Sequence, residues 1–433
     1  MAEGDSWGRL LHYQQRLLPI TNRFDPHLPG VSPMIAYGNG RSYGDVCLNE
    51  GGTLLLTRGL DRFIAFDPLT GILDCEAGVL LRDIIGLFLP RGWFVPVVPG
   101  TALVTVGGAI ANDVHGKNHH RVGSFGNHVL ELELQRSDSR TILCSPVSNS
   151  EWYQATIGGM GLTGLIRRAR LQLRRVEGPW IRGKSRRFAR IAEFFELARE
   201  TEAEYEYTVA WIDCCASGAA LGRGVYMWGN HAADVASAAR RRRLRVPFTP
   251  PLSLVNGLSM RLFNQLYFHR PAAAMDAARW HYEPFFFPLD SIEDWNRIYG
   301  PKGFFQYQCA IPHAVAEDAL PEILGRISRS GSGSFLAVLK RFGEVASRGL
   351  MSFPRPGVTL ALDFPNQGAR TLALLESLDE ITRAAGGAVY PAKDARMSAA
   401  SFQQYYPAWQ EFERFIDPHF SSSFWRRVAG KAA

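Results

Sequence analysis

Short apolar runs separated by turn residues dominate residues 52–144. The runs at 54–56, 72–75 and 94–97 are too short for helices and predict strands. Residues 80–89 instead repeat their apolar positions on a helical period and predict a short amphipathic helix. Leu130, Leu132 and Leu134 alternate with Glu131, Glu133 and Gln135, the pattern of a strand with one face in water. Short strands mixed with short helices, without a regular strand–helix–strand series, predict an α+β fold. No internal repeat is present.

The pattern changes after Arg174. Residues 178–186 are rich in Gly, Pro and Arg, which predicts a boundary there. We therefore expect one domain over 1–178, a second over 179–385, and a return of 386–433 to the first. Helix-like pieces stand at 191–199 and 232–243. Arg240, Arg241, Arg242, Arg243 and Arg245 precede the apolar, proline-containing stretch VPFTPPLSLVNGLSMRLFNQLYF. A basic run beside apolar residues suits the surface of an anionic membrane. The plainer reading, which we prefer from the sequence, is a solvated helix end that leads into a core loop.

Composition narrows the class. At 433 residues two domains are the default, and 46% hydrophobic with 21% charged residues is ordinary for a globular protein. No stretch of eighteen apolar residues predicts a spanning helix, and the start carries no apolar secretory core. A cytoplasmic or membrane-peripheral location is expected. The six cysteines form no C-x-x-C, which leaves thiol-redox and zinc chemistry without support. The net charge of +7 is modest for this length.

Three glycine-rich stretches carry the chemistry: AYGNGRSYGD at 36–45, PGTALVTVGGAIANDVHGKNHHRVGSFGNH at 99–128, and IGGMGLTGLI at 157–166. Glycine lets the main chain approach a ligand, and successive N–H groups in tight turns form an anion nest that can seat a pyrophosphate. Ser42, Thr105 and Asn112 could add side-chain donors. Three such loops within one domain point to a large phosphate-bearing cofactor. The spacing after Gly38 is wrong for the G-x-G-x-x-G dinucleotide fingerprint, and no G-x-x-x-x-G-K-[ST] loop exists. His119, His120 and His128 lack acidic or thiolate partners at ligand spacing, so no metal is expected.

These loops, together with GGMGLTG, resemble the flavin domain of the vanillyl-alcohol oxidase/p-cresol methylhydroxylase superfamily. Within it the chain resembles the decaprenylphosphoryl-β-D-ribose oxidase family. The similarity continues through DWNRIYGPKGFFQYQ at 294–308, LKRFG at 339–343, MSFPRPG at 351–357, GGAVYPAKDARMS at 386–398 and IDPHFSSSF at 416–424. The resemblance implies FAD held in a two-lobed α+β domain, facing an α+β substrate domain built on an antiparallel sheet. Implied cofactor contacts in the first loop are Ala36, Tyr37, Gly38, Asn39, Gly40, Arg41, Ser42, Tyr43, Gly44, Asp45 and Val46. In the second they are Gly100, Thr105, Val106, Gly107, Gly108, Asn112, Asp113, Val114 and His115, with Ile166 and Tyr390 added. Arg41 stands where several superfamily members carry the histidine that bonds covalently to the flavin, which implies non-covalent FAD.

The implied reaction oxidises the C2′ hydroxyl of a polyprenyl-phosphate pentose, half of an epimerisation completed by a short-chain NAD(P)H reductase. That places it in the synthesis of an arabinose donor for the cell envelope, with peripheral membrane contact and no nucleic acid partner. Hydride loss from a secondary alcohol needs a base for the hydroxyl proton, and His115 is the candidate. A cation must stabilise the reduced flavin, the role expected of Lys393. Lys117, Gln308, Lys340, Phe286 and Ala361, with Lys393, are the implied substrate residues. Trp211 and Asp213 match a pocket-wall strand of the family. Ala361 replaces a reactive cysteine of the mycobacterial enzymes, Thr359 an asparagine, and Phe286 a tyrosine. Two other readings are open: an aldonolactone or alditol oxidase acting on a soluble sugar, and a basic flavin-fold protein without turnover.

Overall fold

Strand-forming segments gather into three main sheets in the computed structural model, which describes residues 3–24, 28, 30, 33–233, 244–270 and 279–430. A small parallel sheet holds Arg16–Pro19, Thr53–Leu56 and Met34–Tyr37 in that order. A five-stranded antiparallel sheet runs Phe63–Phe66, Ile72–Glu76, Leu165–Gln172, Val129–Gln135, Thr141–Cys144. An eight-stranded antiparallel sheet begins at Arg279–His281 and Trp180–Phe188. It continues through Gly224–Ala232, Tyr207–Ile212, Ala337–Phe342, Gly357–Pro365, Phe304–Ile311 and Ala388–Val389. The fold is α+β.

Periodicity and structure agree where one face meets a core. Leu81–Phe88 is a helix that buries Leu81, Ile84, Ile85 and Phe88, the i, i+3, i+4, i+7 set. In Val129–Gln135 the expected wet face is a cross-strand ion cluster: Arg168 reaches Glu131 at 3.1 Å, Glu133 at 3.0 Å and Asp74 at 2.6 Å.

Two expectations are corrected, and a third segment gains a definite structure. The strand expected at 94–97 shrinks to Trp93–Phe94, because Pro96 has no N–H to give a ladder. Residues 178–186, rich in Gly, Pro and Arg, run into the strand Trp180–Phe188, in which Ile181, Gly183 and Ser185 are buried and Arg182, Lys184 and Arg186 exposed. Its charged residues lie on a wet strand face, and Gly183 is required because a Cβ would strike the Trp228 carbonyl. Ala232 ends a strand rather than starting a helix, and the rest of that expected helix, 234–243, lies outside the described residues.

Helices His313–Ser330 and Ala369–Ala384 cover one face of the large sheet, contacting Phe304–Ile311. The same core cluster takes in Met34 and Leu54 of the parallel sheet. The C-terminal segment returns to that sheet: the Ser421 N–H donates to Met34 at 2.9 Å and the Ser423 N–H to Leu48 at 2.8 Å. The open face of the large sheet is left to line a cavity.

Candidate active site

A cavity of about 750 Å³ runs between the glycine loops and the uncovered face of the eight-stranded sheet. Its volume falls within the roughly 300–1,000 Å³ of ligand sites. Register builds the sheet-side wall. Gln308 on Phe304–Ile311 opposes Ala361 on Gly357–Pro365, which in turn opposes Val338 on Ala337–Phe342. Two residues along the last strand, Lys340 opposes Thr359. Side chains two apart share a face, so Gln306, Gln308, Val338, Lys340 and Ala361 all reach the cavity.

The cradle is assembled by backbone approach. The Asn39 side chain donates to the Leu103 carbonyl at 2.7 Å, and Gly38 leaves room for the Thr105 side chain. The Tyr43 N–H donates to the Ala392 carbonyl at 3.0 Å, and a Cβ on Gly44 would fall on the Asp394 carbonyl. Thus the first loop is clamped to both the second loop and the Lys393 turn.

This arrangement fits FAD. Among the described residues, the N–H groups of Asn39, Gly40, Arg41 and Ser42 find no protein acceptor. Arg41 Nε and Asn112 Oδ1 are buried without a partner, and both residues line the cavity. Polar groups buried this way are rare unless something fills the space beside them. The nest is therefore the 39–42 turn. The amides of Val106, Gly107 and Gly108 do not contribute, since they donate to Val79, Ala77 and the Thr105 hydroxyl.

Most of the remaining expected residues also face the cavity: Ala36, Val46, Gly100, Val114, His115, Ile166, Tyr390 and Lys393 do so. Seven do not. Tyr37 backs the first loop, its hydroxyl donating to Asp5 at 2.7 Å. Gly44 meets Asp394, and Asp45 is gripped by Arg427. Val106 is core. Asp113 is a buried hub that accepts from Gly126 at 2.8 Å, Ser124 at 2.8 Å and Ser352 at 2.6 Å. Lys117 donates to the Phe285 carbonyl at 2.6 Å and lies over that ring. Phe286 packs edge-on against Tyr207 in the core. Trp211 donates to the Phe335 carbonyl at 2.9 Å and Asp213 binds Arg223 at 2.6 Å, both away from the cavity.

Where the cradle meets the sheet, His115 is the focus. Its Nε2 lies 2.9 Å from the Gln308 amide nitrogen, which also donates to Thr359 at 3.1 Å. Its Nδ1 lies 3.4 Å from Lys340 Nζ. Phe342, Phe353 and Tyr390 surround the ring. Burial, and then Lys340, hold the imidazole well below its ordinary pKa, so it is neutral. A neutral ring has one donor and one acceptor. While Lys340 is an ammonium it donates to Nδ1, and Nε2–H faces the Gln308 amide; once Lys340 is neutral, Nδ1–H can donate to it and Nε2 accepts from Gln308. Burial lowers Lys340 to about 8, which makes that state accessible.

Lys393 Nζ sits 4.0 Å over the Tyr43 ring and is lowered to about 7 by burial, against the opposing pull of Asp363. Asp363, bonded to Gln306 at 2.6 Å, is itself raised to about 7 by burial. Phe342, Phe353, Gln306 and Asp363 were not singled out in the sequence. The first three stand in the quoted motifs LKRFG, MSFPRPG and GFFQYQ, whereas only the period-two stripe Thr359, Ala361, Asp363 points to the last.

Residues 32–145, which contribute most of the cradle, match the family model described as FAD binding domain. The protein is an FAD-dependent oxidoreductase. Over 416 residues the chain is 35% identical to decaprenylphosphoryl-β-D-ribose oxidase of Mycolicibacterium smegmatis, covering 92% of this chain and 90% of that one. It is 33% identical over 369 residues to an uncharacterized Streptomyces coelicolor protein, covering 81% of this chain and all of the relative. Similarity to cytokinin dehydrogenase 3 of Arabidopsis thaliana, 28% over 173 residues, covers 39% of this chain and 32% of that enzyme. The chain belongs to the decaprenylphosphoryl-β-D-ribose oxidase family.

Proposed function

We propose that this chain oxidises the C2′ hydroxyl of a polyprenyl-phosphate pentose to the 2′-keto sugar. The observation that carries this reading is the cluster of His115, Gln308, Lys340 and Lys393 at the junction of cradle and sheet, in a chain similar to the ribose oxidase along both halves. FAD, when bound, supplies the hydride acceptor. His115 and Lys340 act as a proton-sharing pair, able to take the hydroxyl proton without placing a second charge in the pocket. Gln308 fixes the ring, and the aromatic residues around it exclude water. Lys393 supplies a cation at the cofactor.

The phosphate of such a substrate would meet an electropositive cavity. Arg41, Lys340 and Lys393 all line it. The keto product would pass to a separate NAD(P)H reductase of the short-chain class, and the pair would invert C2′ for an envelope arabinose donor. We further propose that residues 1–178 with 386–433 form the cofactor unit and 179–385 the substrate unit.

Anaerobic bleaching of the flavin tests the reading. Lipid-phosphate pentoses should bleach it, whereas free ribose and aldonolactones should not. Bleaching by a lactone alone would overturn the assignment. Lys393→Met should keep the bound flavin but slow its reduction by about a hundredfold or more.

A further inference from the structure

A run of exposed apolar side chains lies beside the cavity mouth. The helix Gly257–Phe268 is started by a capping box, with Asn256 Oδ1 accepting from Leu258 and Ser259 at 3.1 Å each. One side seats it: Met260 and Asn264 are buried, and Asn264 donates to Asp213 at 2.9 Å. The opposite side is a stripe at intervals of four, Leu254, Leu258, Leu262 and Leu266, each more than half exposed and Leu258 80% exposed. Phe248, at 67%, and Leu252, at 77%, extend the patch. Single exposed leucines need no explanation, but a contiguous patch does.

Charge identifies the occupant. In the sequence, residues 240–270 contain seven arginines and no lysine, aspartate or glutamate. The whole chain has a net charge of +7, so the remainder carries equal numbers of acidic and basic side chains. The described part of that stretch carries Arg245, Arg261 and Arg270, and Arg240 to Arg243, which precede it directly in the sequence, lie outside the described residues. A protein interface would not need that coincidence, whereas an anionic bilayer rewards both features. The patch is also continuous with the cavity. Leu244 and Arg245 pair with Ile292 and Glu293, Leu254 donates to the Ile298 carbonyl at 2.8 Å, and Arg245, Ile292 and Trp295 line the mouth.

We infer that the 248–266 apolar face docks on an anionic lipid surface and holds the cavity mouth against it. On the proposed function above, a polyprenyl-phosphate sugar could then enter head first while its chain stays in the lipid.

Flotation of the holoenzyme with vesicles tests this. Binding should be strong to phosphatidylcholine vesicles carrying roughly a third phosphatidylglycerol, weak to phosphatidylcholine alone, and reduced by salt. The triple variant Leu258→Ser, Leu262→Ser, Leu266→Ser should bind at least about tenfold more weakly. None of these leucines touches the core, so flavin content and bleaching by a short-chain, water-soluble substrate analogue should not change. A wild type that fails to bind the anionic vesicles overturns the inference, as does a triple variant that binds equally well. So does sedimentation as a dimer that the triple substitution disperses, because a second copy would then cover the face. The analogue assay separates the two readings: bleaching without vesicle binding removes only the docking surface.

Discussion

Replacing Arg427 with alanine should destabilise the cofactor cradle by an amount the geometry fixes. Arg427, on the C-terminal helix Ser423–Ala429, holds Asp45 with two bonds, 3.0 Å from Nε and 2.6 Å from Nη2, and reaches Asp394 at 3.1 Å. Both carboxylates are 3% exposed. One guanidinium thus joins the helix, the first glycine loop and the Lys393 turn. Without it two buried like charges lose their shared partner, which costs about 3–5 kcal/mol. That is a large part of the roughly 5–15 kcal/mol that holds a domain folded. Burial already pushes the Asp45 carboxyl above its ordinary value, and loss of Arg427 raises it further. A carboxyl whose folded pKa is raised destabilises at pH above its unfolded value and is relieved as pH falls through the folded one. The deficit of Arg427→Ala should therefore shrink as the solution is acidified from neutral. Urea unfolding, followed by tryptophan emission and by the fluorescence of released flavin, reads both consequences. Adding Asp45→Asn should recover part of the loss, since one orphaned charge is gone. An Arg427→Ala protein within about 1 kcal/mol of wild type at neutral pH would refute the reasoning. So would a double variant no more stable than the single.

Three further outcomes follow from the cavity. Acid precipitation should release all of the flavin into the supernatant, because Arg41 cannot form the covalent link; yellow colour retained on the denatured chain would contradict it. A phosphate-bearing ligand should bind more weakly as pH rises through about 7 to 8, where Lys393 and Lys340 lose their protons. The loss should approach about tenfold per pH unit for each lysine the anion requires, read by titration calorimetry, with proton uptake on binding near pH 8. Reagents that capture the family's reactive cysteine should leave no adduct in intact-mass spectra. Ala361 holds that wall position, Cys309 is fully buried, and Cys47, which also lines the cavity, is kept as an unreactive thiol because burial pushes it up to about 12.

What the sequence disclosed depended on the range of the interactions concerned. The helix Leu81–Phe88 and the strand Val129–Gln135 were legible because one face of each meets a core, so a local period records the contact. The glycine loops were legible because close backbone approach forbids a Cβ, as at Gly44. Composition alone marks 178–186 as a boundary, whereas the period of two that puts Arg182, Lys184 and Arg186 on one face is what marks the strand. The sheet wall was beyond local reading altogether. That Lys340 stands opposite Thr359, and Gln308 opposite Ala361, is a matter of register between strands far apart in the chain. Lys117 shows the limit of motif reading: its loop is familiar, yet its amine is spent on the Phe285 carbonyl.

The charges around the cavity share one physical logic. Arg41, Lys340 and Lys393 line it, and burial lowers the pKa of each. Asp363, the acid pulling on Lys393, is buried behind Gln306 and itself raised, so near neutral pH it balances little of that charge. Arg41 has the Asp290 carboxylate as its electrostatic partner, whereas the two buried lysines lose hydration and repel each other with little to balance them. An anion from outside would relieve the two lysines, and the N–H groups of the 39–42 turn would suit a pyrophosphate. On the proposed function, the two buried lysines suit a phosphorylated sugar better than a neutral lactone.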